Sequence, residues 1–276
     1  MIVACSEHWG HDHSDGEQVR TGVRATAAIF GALLVVTCGA PGPLDGLEPG
    51  ERGRVVRVVD ADTIVLDTGQ SVRLVGIEAP SGRFRDREEQ PYYAESKRMM
   101  EDMVLGREVQ LHYGGLTRDR YDRALAHAET VDALGPAYWL NAEIVKRGGA
   151  RVRVYPDTSA ANAPLFELER GAREDAVGMW RTRDYHIPDA ADLPTEFDGF
   201  QLVQGRVSGM QGSDGFGAVC DLVVEGSRLR LQIQTAAATH CQSSVGKDVL
   251  ARGYVRDDVM EISDRLNLQL LDAALD

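Results

Sequence analysis

The chain has 276 residues, 43% of them hydrophobic and 26% charged, and a formal net charge of −13. These are globular proportions, and the length suffices for two modest domains with cores of their own. The acidity argues against a protein that grips long duplex DNA by bulk charge, because affinity for a polyanion follows the phosphates that Lys and Arg neutralise.

Residues 1–50 read as a leader with an export segment and a short linker. Arg20 and Arg24 precede the apolar run ATAAIFGALLVVTCGA (25–40), which is short for a membrane span and suits the core of a signal peptide. A buried core helix is the other reading, and the loop-like PGPLDGLEPG (41–50) that follows argues against it. VVTC (35–38) resembles a lipoprotein cleavage box, which would lipidate Cys38 and attach the protein to a membrane. A cell-surface lipoprotein and a secreted or periplasmic protein both remain open. His8, His11, Asp12 and His13 read as a polar tail rather than a metal site.

GRVVRVVDADTIVLDTGQSVRLVGI (53–77) reads as three short β-branched strands separated by DAD and DTGQ turns. AESKRMMEDMVLG (94–106) predicts a helix closed by Gly106. REVQLHY (107–113) and RALAHAET (123–130) predict strands, with helices around 138–148 and 164–178. Strands first and helices inserted later predict a small closed barrel with helices against it. Within this region Arg73 and Arg123 stand among carboxylates. A guanidinium is permanently charged and its planar fork matches a phosphate, while Asp62 and Glu78 are oxygen donors of the kind that hold a hard cation. Each piece alone has a plainer reading: Asp- and Gly-rich turns are conformational, and the arginines suit surface ion pairs. Tyr121 and Tyr155 suit the barrel wall. Their joint occurrence, in order, points to a site.

From Gly53 to Trp180 that order resembles the staphylococcal-nuclease-like (thermonuclease) family. The shared features are the opening strand, the Asp-x-Asp-Thr turn (60–63), the arginine-bearing strand ending in an acidic-x-Pro corner (78–80), and the Tyr-x-Arg hairpin (121–123). YWLNAEIVKRGGA (138–150), the strand RVRVYP (151–156) and the closing GMW (178–180) follow. The resemblance implies an OB-fold barrel over residues 51–186 that hydrolyses phosphodiester bonds of DNA or RNA with Ca2+. It implies that Asp62, Glu78 and the Ala79 carbonyl bind the metal, with Asp60 just outside. Arg73 and Arg123 would grip the scissile phosphate, with Tyr121 and Tyr155 on the substrate side.

Two positions depart from the family pattern. Ser81 stands where the family places a base glutamate, and general-base assistance is worth roughly 100- to 10,000-fold. The acidic loop SGRFRDREEQP (81–91) offers Glu88 and Glu89 as replacements. Glu78 stands where the family has aspartate, which calcium's variable coordination tolerates. A degenerate module that binds nucleic acid or protein without cleaving is therefore the rival reading.

DYHIPDAADLPTEFDG (184–199) reads as a Pro- and Asp-rich linker, placing the domain boundary at 187–198 and predicting halves that fold separately. Residues 199–276 alternate apolar and polar residues between Gly and Asp turns, the signature of a second small all-β, OB-like domain. Its charge is 7 Lys plus Arg against 14 Asp plus Glu over 188–276, whereas 51–187 is near balance at 21 against 23. Such a domain could bind single-stranded nucleic acid, but its acidity and the lack of exposed aromatic candidates beyond Phe216 and Tyr254 favour a structural or protein-contact role, and no obligate protein partner is evident. Cys220 and Cys241 are the cysteines of the folded part, and an oxidising compartment would let them pair.

Overall fold

The computed structural model describes residues 42–271, except 84, 86 and 87. The expected export segment, Cys38 and the His-rich tail lie outside the described residues. Among those described, no helix is long and apolar enough to cross a membrane.

The first strand, β1 (Glu48–Asp60), turns sharply at Ala61 and Asp62 into β2 (Thr63–Leu66), and β3 (Ser71–Leu74) follows. Val55, Val58, Ile64, Leu66, Val72 and Leu74 face inward and are buried, as a period of two requires. Register shifts between Val55 and Arg57 and between Val58 and Asp60 bend β1 near its end, as bulges commonly do beside sites. After β4 (Ile77–Glu78), the helix α1 (Tyr93–Val104) buries Met100, Met103 and Val104. Gly106, at φ +80°, carries the chain out of it. β5 (Glu108–Tyr113) and β6 (Ala124–Thr130) close a barrel in the order β1-β2-β3-β6-β5, with β3 and β6 parallel.

The helices α2 (Leu140–Lys146) and α3 (Ala163–Glu174) complete this core, and the short β7 (Arg151–Val152) pairs with β4. Three expected elements are shorter than the sequence suggested. The strand at 151–156 keeps only its first two residues in pairing, because Pro156 starts a 3-10 turn. α2 stops at Lys146 before the Gly148–Gly149 pair. GMW belongs to a separate 3-10 turn, Gly178–Arg181, beyond the end of α3.

The second barrel is built from β8 (Gly199–Gln211), β9 (Ala218–Val224) and β10 (Arg230–Gln234), then the one-turn helix α4 (His240–Ser243), then β11 (Asp248–Arg256) and β12 (Val259–Ile262). β12 pairs parallel with β10 and antiparallel with β11, which closes five strands. β13 (Leu268–Leu271) adds to β11. The order and the single parallel pair match those of the first barrel. Both halves are thus mainly β with inserted helices and OB-like in topology, as expected. Cys220 on β9 and Cys241 on α4 form a disulfide.

Residues 187–198, read from the sequence as a linker, are packed. Ala190 is part of the second core with Leu193 and Phe197 against it, and Ile187 joins Trp180, Phe200, Leu202 and Leu250 in a cluster at the junction. Both barrels fall within one compact unit. Between them Arg252 of β11 meets Glu169 of α3 at 2.7 Å, with neither side chain exposed. Its guanidinium also donates to the Val152 carbonyl, and Asn267 donates to that of Val154.

Candidate active site

Arg73 lies on β3, the parallel neighbour of β6, and its guanidinium bridges two carboxylates. Nη1 is 2.9 Å from Asp62 Oδ2 and Nη2 is 2.7 Å from Glu78 Oε2. Asp62 also accepts the Ala79 N–H at 2.7 Å and the Thr63 hydroxyl at 2.9 Å. The Asp-x-Asp-Thr turn and the acidic-x-Pro corner are thus tied together by one side chain. Gly76 makes the corner possible. It adopts φ +75°, and a Cβ there would lie 2.1 Å from Asn162 Oδ1. Asn141 of α2 fastens the same corner by donating to the Val75 carbonyl and accepting from the Ala128 N–H.

The electrostatics of this group are unusual. Burial pushes the Asp62 carboxyl up to about 7; Arg73 opposes the shift and the Asp60 carboxyl reinforces it. Burial would lower Arg73, but the charges of Asp62, Glu78 and Asp60 outweigh it and hold the guanidinium above its ordinary value. Asp60 Oδ1 is buried without a hydrogen-bond partner. Crowded acids with an orphaned oxygen are short of positive charge, and a hard divalent cation satisfies oxygen donors of this kind. Among the described residues no group of three or more His, Cys, Asp or Glu is gathered closely enough to form a metal cluster. Asp60, Asp62 and Glu78 are thus oxygen donors of the kind a hard cation takes, but Arg73 spans the two principal carboxylates.

In front of these acids opens a cleft of about 670 Å³. Arg73, Arg118, Arg120, Arg123 and Arg153 line it against Glu78, Asp119 and Asp157, with Tyr121 and Tyr155. In a chain of net charge −13 this is a locally positive surface. Arg123 is held by Asp119, which accepts its Nε at 2.7 Å and its backbone N–H at 2.9 Å. Tyr155 is 45% exposed, enough to present a ring face to a ligand. Asp62, 5% exposed, lies behind the wall under Arg73.

The structure therefore brings together Asp60, Asp62, Arg73, Glu78 and Ala79, and places Arg123, Tyr121 and Tyr155 on the same cleft. Glu88 and Glu89 are not among the residues lining it. Ser81 and Gln90 pinch the acidic loop shut, with the Ser81 N–H donating to Gln90 Oε1 and the Gln90 N–H to the Ser81 carbonyl. Glu88 beyond that neck pairs with Arg83 at 2.8 Å and is exposed.

Two contributors were not singled out from the sequence. Arg153 reaches Glu78 Oε2 at 2.9 Å, sharing that oxygen with Arg73. In RVRVYP it looks like an alternating edge residue. Asn141 left a signal, a polar residue on the apolar face of the predicted helix 138–148.

Comparison with known proteins bears on the same region. The family model described as "Staphylococcal nuclease homologue" matches residues 71–182. The "Thermonuclease" of Staphylococcus intermedius is 26% identical over 170 residues, covering 59% of this chain and 98% of that protein. An "Uncharacterized endonuclease" of Escherichia coli O157:H7 is 36% identical over 135 residues, 48% of this chain and 78% of that protein. "Protein ParB" of Escherichia coli is 33% identical over 165 residues, 57% and 83% respectively.

Proposed function

Because the chain belongs to the staphylococcal nuclease homologue family, we propose that it is an exported, calcium-dependent nuclease that hydrolyses phosphodiester bonds of DNA or RNA. The observation that carries this reading is the single guanidinium of Arg73 held between Asp62 and Glu78 at the edge of an arginine-lined cleft.

Asp62, Glu78 and the Ala79 carbonyl would hold the calcium, with Asp60 beside them. The ion supplies charge that polarises the phosphoryl group and offsets its developing negative charge. Arg73 and Arg123 grip the phosphate and stabilise that charge. Preorganised donors of this kind are commonly the largest catalytic contribution, about 3–4 kcal/mol for one. Asp119 fixes the Arg123 fork, and Asn141 and Gly76 hold the corner that aims Arg73. Tyr155 offers a nucleobase a face to stack on, which is sequence-tolerant. Export is supported by the Cys220–Cys241 disulfide, a bond that persists in oxidising compartments. Lipidation of Cys38 or release would follow export.

A second reading rests on Ser81. A neutral hydroxyl stands at the corner, and among the described residues of the 81–90 loop neither Glu88 nor Glu89 lines the cleft, which favours a module that binds nucleic acid or protein without cutting. Digestion of single-stranded DNA with calcium and with chelator, using full-length protein and Arg73→Ala, separates the two. Calcium-dependent cleavage that Arg73→Ala reduces by about 100- to 1,000-fold is expected. Chelator-insensitive or Arg73-independent cleavage overturns the enzyme reading, and tight binding without cleavage supports the second.

A further inference from the structure

Arg153 is placed by both barrels. Its backbone N–H donates to the Gly76 carbonyl at 2.9 Å, which ties it to the corner between Arg73 and Glu78. Its guanidinium lies 4.8 Å from the ring centre of Tyr155, 5.1 Å from Phe200 and 5.9 Å from Tyr254. Phe200 and Tyr254 are directly opposite each other on β8 and β11 of the second barrel. An arginine stacked among rings loses little further freedom on binding an anion, and its planar fork keeps its geometry.

We propose that Arg153 binds a phosphate of a single-stranded nucleic acid next to the one gripped by Arg73, and that Tyr254 continues the binding track onto the second barrel. The proposal rests on the nucleic-acid reading above. Three observations carry it. Arg153 lines the same cleft as Arg73 and Arg123, and its tie to Glu78 uses one nitrogen of a group with five N–H donors. Tyr155 then borders both this cleft and a smaller opening of about 80 Å³ shared with Phe200 and Tyr254, so the surface runs unbroken from one barrel to the other. Along it Tyr155 and Tyr254, 45% and 43% exposed, present two aromatic side chains to successive bases. Glu261 borders the small opening as well, which places the phosphate on the Arg153 side of the rings.

A guanidinium that merely neutralised Glu78 would add no counterion release when a strand binds. A phosphate contact would, and the slope of log K against log salt reads it at about 0.7 per phosphate for single strands. The measurement is fluorescence anisotropy of a labelled oligothymidylate of eight nucleotides on full-length protein in chelator, across a salt series. Arg153→Ala is expected to weaken binding about tenfold or more and to flatten the slope by about 0.7. Tyr254→Ala, which touches no acid of the site, is expected to weaken binding about fivefold or more with the slope unchanged, because stacking releases no ions. Arg170→Ala, on the exposed face of α3 in ion pairs with Glu167 and Glu174, should leave both readings alone. Wild-type slope and affinity in Arg153→Ala would overturn the phosphate contact, and an unaffected Tyr254→Ala would overturn the track. If Arg153→Ala fails to fold, Arg153→Lys keeps the charge but loses the fork: its slope should stay and its affinity fall, and unchanged affinity overturns the proposal. Failure of the unaltered protein to bind the oligonucleotide overturns the nucleic-acid reading itself.

Discussion

The two barrels share strand order, one parallel pair and a helix between the third and fourth strands, yet they are stabilised and equipped differently. The first packs three substantial helices around its strands and crowds three carboxylates and an arginine at the turn between β1 and β2 and the corner after β3. The second has a one-turn helix stapled by Cys220–Cys241. On its corresponding strands it carries one pair, Asp221 with Arg230 at 2.9 Å, with no second arginine on that acid and an exposed guanidinium. The same scaffold thus carries three crowded carboxylates bridged by arginine in one copy and a single buried aspartate with one arginine partner in the other. The difference lies in what the turns and strand ends hold, which is where function resides on a shared fold.

The largest expected effect tests whether the barrels are independent. Arg252→Met leaves Glu169 buried without its partner and should destabilise the protein by about 3–5 kcal/mol, whereas adding Glu169→Leu should recover most of the loss. Urea midpoints of the single and double variants check this, and a fragment ending at residue 186 should be less stable than the whole. A fragment as stable as the intact protein would restore the sequence expectation of separable halves.

The staple comes next. It closes a loop of sequence separation 21, for which chain entropy gives about 3 kcal/mol. Thermal melts with and without reductant, or of Cys241→Ser, should show that loss and leave oligonucleotide binding largely in place if the second barrel stays folded.

Acid should probe the first barrel instead. His127 on β6 is fully buried, accepts from Trp139 Nε1 and contacts the Ala160 carbonyl. Burial pushes its imidazole down to about 4 from 6.5. A depressed histidine binds its proton more readily in the unfolded chain, so its contribution, about 3 kcal/mol, is present above pH 6.5 and is lost as pH falls towards 4. Denaturant midpoints across that window should fall, and His127→Gln should flatten the dependence.

The smallest effect concerns the missing base. Because Glu88 is turned to Arg83 beyond the Ser81–Gln90 neck, Glu88→Gln should leave turnover within about twofold. A fall of 100-fold or so would identify it as the base after all.

Much of this was legible in the sequence. Alternating β-branched residues marked both barrels, and the Asp-x-Asp-Thr turn, Arg73, the acidic-x-Pro corner and Arg123 marked the cleft. The remainder depends on distance along the chain. Arg252 and Glu169 are 83 residues apart, and neither stands out from ordinary surface charge until the fold buries both. Arg153 gained its place only once Phe200 and Tyr254 arrived from the other barrel. The repeated topology left no sequence repeat, because a barrel is specified by the alternation of apolar and polar positions rather than by their identity. The packing of 187–198 was masked by its prolines and aspartates, among which Ile187, Ala190, Leu193 and Phe197 are few but all engaged.

The neck formed by Ser81 and Gln90 separates the acidic lobe from the corner that carries Glu78. Their two hydrogen bonds hold the entry and exit of the lobe together. Arg83, Glu88 and Glu89 are exposed, and at such positions the polypeptide tolerates lengthening, shortening or replacement. A peptide tag or insert grafted at these positions would leave the arginines that line the cleft in place.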